Sequence, residues 1–138
     1  MKHIKSLIRV TLLLSFIISV SSCQKDNLEL LSDTTWDFED FSTDSENTTI
    51  QGLIDVGKAI LTDGTLDLNS DGTYTMDSPI IDAETGTWEL VGTNQILFTE
   101  DGISRPATLE EVTKSKLVYF ETYVYESESY SVKYVWVK

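Results

Sequence analysis

Few side chains in this chain could carry out covalent chemistry, because it contains one histidine, His3, and one cysteine, Cys23. His3 lies in an N-terminal leader, and Cys23 directly follows that leader. The remaining chain therefore offers no Ser-His-Asp triad, no histidine general base, no histidine-ligated zinc and no thiolate nucleophile. A glycine-rich phosphate loop is also missing from the sequence, so we expect no cofactor.

Carboxylates are the remaining candidates for catalysis, since a pair of them can hydrolyse glycosides. The acidic residues here alternate outward on predicted strands or cluster in predicted turns, which indicates a solvated surface. We therefore expect a protein that is not an enzyme. A hydrolase that uses two cleft-facing carboxylates is the alternative.

One segment has the spacing of a calcium loop, with Asp67, Asn69 and Asp71 at alternate positions. Such a loop needs a bidentate glutamate at its twelfth position, where this chain has Ser78. A hairpin turn with a capping Asp71 and with Gly72 at positive φ accounts for the same residues. We favour the turn and keep the three oxygen-bearing residues as the alternative metal site.

The leader has the pattern of a secretory signal peptide. Basic residues precede an apolar stretch over residues 10–20, which is too short for a permanent membrane span. The small residues before Cys23 resemble the lipobox of bacterial lipoproteins. The resemblance implies cleavage between Ser22 and Cys23 and attachment of lipid, such as palmitate, to Cys23.

This resemblance divides the chain into three parts. Residues 1–22 are the signal peptide that is removed, residues 23–30 are the lipidated cysteine with a short tether, and residues 31–138 form one domain. The string Gln24 to Asn27 resembles the short signal that sends lipoproteins of the Bacteroidota to the outer face of the outer membrane. We therefore expect a lipid-anchored outer-membrane protein displayed on the cell surface.

The charge of the chain excludes one class of partner. The sequence has a net charge of −13, and removal of the leader, with three of the ten basic residues and none of the acidic ones, brings it to about −16. Phosphate backbones are repelled by such a surface, so nucleic acid is not an expected partner. The membrane is an expected partner through the lipid alone.

Apolar and polar residues alternate with a period of two through most of the domain, which is typical of half-buried strands. We count eight such segments. The turns between them include Ser70-Asp71-Gly72 and Glu100-Asp101-Gly102, which suit tight hairpins. Consecutive hairpins predict neighbouring antiparallel strands, and closure of the sheet removes both exposed edges. The predicted fold is all-β, an eight-stranded antiparallel up-and-down barrel.

One segment departs from this alternation and has apolar residues at helical spacing. Thr48 and Gln51 are placed as a capping box at its start, and Gly64 follows its end. We predict a short helix between strands one and two, which covers one barrel mouth as a fixed plug or, alternatively, as a mobile lid. The side chains predicted to be buried by it are Ile50, Leu53, Ile54 and Ile60.

Several short motifs are similar to those of one known family. They are Thr35-Trp36, Asn69 to Tyr74, Gly86 to Leu90, and Lys116 to Val118. In this order they resemble the lipocalin-like domains found in lipoproteins of the Bacteroidota. The resemblance covers residues 31–138 and implies a lipocalin-like barrel.

The inward faces of the predicted strands are rich in aromatic residues, which could line an apolar pocket or fill the barrel. The sequence does not separate these two cases, and we favour a filled or nearly filled interior because large rings occur on most strands. The predicted pocket or core residues are Trp36, Phe38, Leu66, Leu68, Tyr74, Met76, Trp88, Leu90, Ile96, Phe98, Tyr130, Tyr134 and Trp136.

Two non-enzymatic functions follow from this pattern. The first is a binding module for a small apolar or amphipathic molecule, with inward aromatics as the pocket. The second is a ligand-free barrel that serves as an accessory or adhesion subunit of an envelope assembly, with a protein partner on its outer surface. The volume of the barrel cavity discriminates between them.

Overall fold

Eight strands and two helices make up residues 25–138, the part of the chain that the computed structural model describes. The predicted signal peptide with Ser22, and the predicted lipidation site Cys23, lie outside these residues. Helix α1 covers residues 25–31 and helix α2 spans Thr48–Leu61. The strands are β1 (Thr34–Thr43), β2 (Thr65–Leu68), β3 (Thr73–Asp77), β4 (Glu84–Val91), β5 (Gln95–Glu100), β6 (Ile103–Val112), β7 (Lys116–Tyr125) and β8 (Glu128–Val137). Within the described residues, neither helix is long and apolar enough to cross a membrane.

The strands form one closed antiparallel barrel in which each strand pairs with its neighbours in sequence and β8 returns to β1. The predicted fold is therefore confirmed, including the helix between the first two strands. The pairing shifts by one residue between Phe38 and Asp40 on β1, and again between Leu109 and Glu111 on β6. Such bulges bend and twist the strands, which helps a sheet to close on itself.

The barrel has two different ends, which we name after the helices. The α1 end carries the start of β1 and the turns that join β2 to β3, β4 to β5, and β6 to β7. There the side-chain amide of Asn27 donates to the carbonyl of Thr93 (2.9 Å), and Leu31 is fully buried. The α2 end carries α2 and the connections from β3 to β4, β5 to β6, and β7 to β8.

The turn from β2 to β3 forms at the predicted residues. Gly72 adopts φ 84°, and a carboxylate oxygen of Asp71 accepts hydrogen bonds from the backbone N–H (2.9 Å) and the hydroxyl (2.6 Å) of Thr73. Asn69 donates its side-chain N–H to the same hydroxyl (3.0 Å). The turn residues thus satisfy one another.

Helix α2 begins one residue earlier than predicted. Its N-cap is Asn47, whose side-chain oxygen accepts from the backbone N–H of Thr49 (2.9 Å), so the predicted capping box of Thr48 and Gln51 is wrong. Asparagine is among the strongest N-cap residues because it satisfies a backbone donor that the helix leaves free. The side chain of Gln51 donates instead to the carbonyl of Ser45 (3.2 Å).

The buried face of α2 packs on β1. Ile50 and Ile54 are buried as predicted, and Ile60 is half-buried. Leu53 is 50% exposed, so its predicted burial is wrong. The helix packs against β1, with Gly57 next to the ring of Phe41, and places Leu61 in the core. Leu53 consequently faces solvent on the opposite side of the helix.

Candidate functional site

The barrel interior is packed with side chains. The predicted residues Trp36, Leu66, Leu68, Tyr74, Trp88, Ile96, Phe98, Tyr134 and Trp136 are buried in one core, and Phe38, Met76, Leu90 and Tyr130 are partly buried against it. In the α1 half, the rings of Trp36 and Trp136 are fully buried. The described residues therefore fill the barrel, as the number of inward rings predicts.

A chain of aromatic rings crosses the barrel from β3 to β1. Consecutive ring centroids are 5.1 Å apart for Tyr74 and Phe98, 5.7 Å for Phe98 and Tyr119, 4.9 Å for Tyr119 and Tyr134, and 4.8 Å for Tyr134 and Phe41. These are normal distances for interacting aromatic pairs. We call these five residues the aromatic layer. The hydroxyls of Tyr74 and Tyr134 make their hydrogen bonds with residues toward the α2 end.

A polar cluster occupies the space between the aromatic layer and the α2 end. The hydroxyl of Tyr74 donates to Oε1 of Glu84 (2.6 Å), which also accepts from Nη2 of Arg105. Nη1 of Arg105 lies 3.9 Å from Oε2 of Glu121. That oxygen accepts from the hydroxyl of Tyr123 (2.6 Å). One guanidinium therefore joins two inward-facing carboxylates.

The cluster extends from Tyr123 to the aromatic layer, because the hydroxyls of Tyr123 and Tyr134 lie 3.0 Å apart. Glu121 is 4% exposed, whereas the side chains of Glu84 and Arg105 are about one-quarter to one-third exposed. The cluster thus runs from a buried carboxylate to a solvent-accessible ion pair.

The surroundings of the cluster shift its titration. Burial raises the pKa of Glu121, and the hydrogen bond from Tyr123 and the charge of Arg105 oppose this rise. Burial also raises the pKa of Tyr123, with the charge of Glu121 adding to the rise. Burial disfavours the charge on Arg105, but Glu121 and Glu84 outweigh it and raise the pKa of the guanidinium. With both carboxylates ionised, the cluster carries one negative charge in excess.

Helix α2 covers only part of the α2 end, and it is held at both of its ends. Before its first turn, the hydroxyl of Ser45 and the amide of Asn47 donate to the two oxygens of Glu128 on β8 (2.5 and 3.0 Å). At its last turn, the carbonyl of Ile60 accepts from the hydroxyl of Ser78, after β3 (2.6 Å). These ties favour the fixed plug over the mobile lid. They place the helix over the β8, β1, β2 and β3 side of the mouth.

The other half of the α2 end forms the open mouth, with the polar cluster inside it. Glu84, Arg105 and Glu121 belong to β4, β6 and β7, which form this side of the barrel. A cleft of about 300 Å³ at this mouth is lined by Glu100, Asp101, Ile103 and Arg105.

Exposed apolar side chains surround this end. Ile103 is 70% exposed and Val124 is 73% exposed, on the hairpins from β5 to β6 and from β7 to β8. The opposite end has fewer such side chains, and its Leu28 and Val91 are 45% and 42% exposed. Val124 lies on the outward face of β7, so we call the other exposed apolar residues at the α2 end the apolar rim; it consists of Leu53, Val56, Ile80, Ile81 and Ile103.

A wider cleft of about 550 Å³ lies outside the barrel between α1 and β4, where Lys25, Leu28 and Leu90 line it. Lys25, the first described residue, is part of its lining. We therefore place no site there.

The proposed oxygen ligands for a metal have other contacts. The carboxylate of Asp67 accepts from the hydroxyl of Thr35, while Asn69 and Asp71 bond to Thr73 within the turn. Among the described residues, no group of three or more acidic, histidine or cysteine side chains is arranged to hold a metal ion. Asp67, Asn69 and Asp71 therefore each have a hydrogen-bond partner on β1 or within the turn, and the metal site stays a prediction.

The charged residues of the polar cluster are not among the predicted site residues, although the period of two contains a signal for them. Glu121 shares the inward face of β7 with Leu117 and Tyr119, both fully buried. In the same way, Arg105 shares the face of Ala107 on β6. A charged residue in phase with buried apolar residues indicates an inward charge, and two such residues of opposite sign indicate an internal ion pair.

Comparison with known proteins returned no family model that matches this chain and no curated protein that matches it. The lipocalin-like resemblance therefore stays a prediction, and the function has to be argued from the geometry of the α2 end.

Proposed function

We propose that this protein is a lipid-anchored, non-enzymatic binding module that holds a small apolar or amphipathic molecule at the mouth of its barrel. The observation that supports this most is the position of the apolar rim around the open, polar mouth. Apolar side chains that are scattered singly are normal on a protein surface, whereas apolar groups collected around a concave site mark binding sites. The barrel itself is compatible with such a module.

The packed interior decides where the molecule would bind. A ligand inside the α1 half would have to displace Trp36 or Trp136, which are fully buried. Displacing packed rings costs several kcal/mol. A ligand at the mouth displaces water from the rim instead, which is favourable at about 25 cal/mol per Å² of apolar surface buried.

The proposal includes a lipid anchor at the N-terminus of the domain. The lipobox-like sequence places the lipid on Cys23, two residues before the first described helical residue, Lys25. Because α1 packs at one end of the barrel, a lipid at Cys23 would hold that end near the membrane. The mouth would then face away from the outer membrane, toward the exterior.

Two features support a role other than catalysis. The inward carboxylates Glu84 and Glu121 are both held by Arg105, which leaves neither as an unengaged acid or base. The sequence also provides no histidine and no cysteine beyond position 23. A carboxylate pair of this kind stabilises charge within the site and orients the hydroxyls of neighbouring tyrosines.

The binding proposal can be tested with Nile red, a neutral apolar dye whose fluorescence rises on binding. We expect the lipid-free domain to bind the dye, and we expect the double variant Ile81→Ser, Ile103→Ser to bind it about tenfold more weakly because two apolar contacts are lost. The matched control is Leu28→Ser, Val91→Ser at the opposite end. Equal losses in the two variants, or no binding by the parent domain, would contradict the proposal.

The anchor can be tested separately in cells. Labelled palmitate should be incorporated into the full chain and not into the variant Cys23→Ser. Protease added to intact cells should degrade the anchored protein if it is displayed outside. Labelling that persists in Cys23→Ser would refute the lipid site, and resistance to protease would place the domain on the periplasmic side.

A second candidate is favoured by the packed interior. In this alternative the barrel binds no small molecule and serves as a scaffold whose apolar rim docks an envelope protein. It predicts that the rim variant loses a stoichiometric protein partner, captured by crosslinking on cells, while dye binding to the parent domain is absent. The Nile red titration therefore separates the two candidates before any partner is known.

A further inference from the structure

The charge of the α2 end selects among apolar ligands. Exposed carboxylates surround the apolar rim, and they include Asp44, Glu46, Asp55, Asp82, Asp101 and Glu126. The basic residues in the segments that form this end are Lys58 and Arg105, and each of them is already paired with a carboxylate. The rim side chains are thus apolar, whereas the surface of the α2 end around them has a net negative charge.

The mouth inside the rim has the same sign. Glu84 and Glu121 share the single positive charge of Arg105, and the cleft beside Arg105 has Glu100 and Asp101 in its wall. A cleft with a net negative charge concentrates positive ligands, because field lines are focused where water is partly excluded.

From this juxtaposition we infer that the ligand is a cationic amphiphile, an alkyl or aryl amine, with its apolar part on the rim and its ammonium group beside Glu100 and Asp101. The inference rests on the proposed function and specifies the class of molecule that the same mouth takes. An ammonium group there would donate hydrogen bonds to the carboxylate oxygens. Such charge-assisted hydrogen bonds are among the stronger ones in proteins.

The opposite choice, an anionic amphiphile, would require Arg105 to be available. Its Nη2 atom is bound to Glu84 and its Nη1 atom faces Glu121. A carboxylate ligand would have to displace one of these glutamates and approach the exposed acids of the rim. Both steps oppose binding, since like charges repel and an ion pair must be broken.

The test compares three probes with the same apolar chain: octylamine, octanol and octanoate. Each is titrated into the isotope-labelled lipid-free domain near neutral pH, and binding is followed through backbone amide chemical shifts. We expect octylamine to bind at least about tenfold more tightly than octanoate, with octanol between them, and added salt to narrow the difference. The largest shifts are expected at Glu100, Asp101 and Ile103.

Variants of the two cleft acids locate the ammonium group. The double variant Glu100→Gln, Asp101→Asn should lose the preference for octylamine and keep its affinity for octanol. Asparagine tolerates the positive φ of Asp101, which is 50°, so the hairpin should be retained. The matched control, Glu29→Gln, Glu89→Gln, removes the same charge from exposed positions at the α1 end and should keep the preference.

The outcomes distinguish the two levels of the proposal. If none of the three probes binds, the proposed function is overturned and the inference falls with it. If octanol binds and octylamine binds no better, the proposed function stands and the cationic ligand is wrong. Tighter binding of octanoate would also overturn the inference and would assign the polar end of the ligand to Arg105.

Discussion

Tyr119 and Tyr134 stack inside the barrel with ring centroids 4.9 Å apart and ring planes inclined by 20°. Their hydroxyls differ in hydrogen bonding. That of Tyr134 lies 3.0 Å from the hydroxyl of Tyr123, whereas that of Tyr119 is buried without a hydrogen-bond partner among the described residues. The indole N–H of Trp136 is likewise buried without a partner in the described part of the chain. The stack therefore marks the boundary between the apolar interior and the polar mouth.

Removal of each hydroxyl in turn tests this boundary. Tyr119→Phe should leave the free energy of unfolding unchanged or raise it by about 1 kcal/mol, because a buried hydroxyl without a partner is costly. Tyr134→Phe should lower it by about 1 kcal/mol through the lost bond to Tyr123. Urea unfolding of the two variants measures both values. A larger loss for Tyr119→Phe than for Tyr134→Phe would contradict the assignment.

Two glycines should respond oppositely to alanine. A Cβ atom on Gly86 would lie 2.2 Å from the carbonyl oxygen of Thr99 and 2.8 Å from the ring of Tyr74, so Gly86→Ala should destabilise the barrel by about 3 kcal/mol. Gly52 lies on the exposed side of α2 with no atom within 4 Å of such a Cβ, and Gly52→Ala should stabilise by about 0.5–1 kcal/mol. Denaturant midpoints of both variants test the pair. Similar signs for the two changes would be inconsistent with this packing.

The cap of α2 gives a local test of the helix. Asn47→Ala should lower the free energy of unfolding by about 1 kcal/mol, because it removes the acceptor for the N–H of Thr49. It also removes a donor to Glu128, whose pKa is held below its usual range by Ser45 and Asn47. Thr48→Ala changes an exposed neighbour and should have little effect. If Thr48→Ala were the more damaging change, the capping box would replace Asn47 as the start of the helix.

Glu121 should give the barrel a characteristic dependence on pH. Burial raises the pKa of Glu121 in the folded state above its ordinary 4.5, so the folded protein binds this proton more tightly than the unfolded chain. The stability that this proton contributes is fully present below pH 4.5 and is lost as the pH rises through the folded-state pKa.

Glu121→Gln isolates this contribution, since glutamine can still accept the hydrogen bond from Tyr123. Relative to the parent, the variant should gain stability as the pH rises from about 4.5 toward neutrality. Asp40 and Asp71, whose pKa values are lowered, are common to both proteins and cancel in the difference. Urea midpoints across this pH range measure the difference in stability between variant and parent, and Glu89→Gln on the outer face of β4 is the control. A flat or falling difference would show that Arg105 outweighs burial.

The strands and their order could be predicted from the sequence because alternation and turn chemistry act locally. Gly72 and Gly102 stand at positive φ in the hairpins where the sequence places turns. The turn from β7 to β8 has no glycine, and Glu126 and Ser127 adopt φ 46° and 75° there. The prediction of strands on both sides of this turn therefore depended only on the alternation of apolar and polar residues.

The polar cluster could be predicted only in part. Phase with Leu117 and Ala107 places Glu121 and Arg105 inside, but it does not say which partner each one meets. That depends on register, in which Arg105 stands opposite Phe98 and Glu84 opposite Met76, and on the bulge between Leu109 and Glu111. The exposure of Leu53 likewise depends on how far α2 extends over the mouth.

We propose that an apolar molecule binds this protein at the mouth and not inside the barrel. Intermolecular nuclear Overhauser effects between octanol and the labelled domain test it most directly. We predict cross-peaks from the alkyl protons to the methyl groups of Ile81 and Ile103 on the apolar rim. Cross-peaks to the indole protons of Trp36 and Trp136 would show that the interior opens for the ligand, and would contradict it.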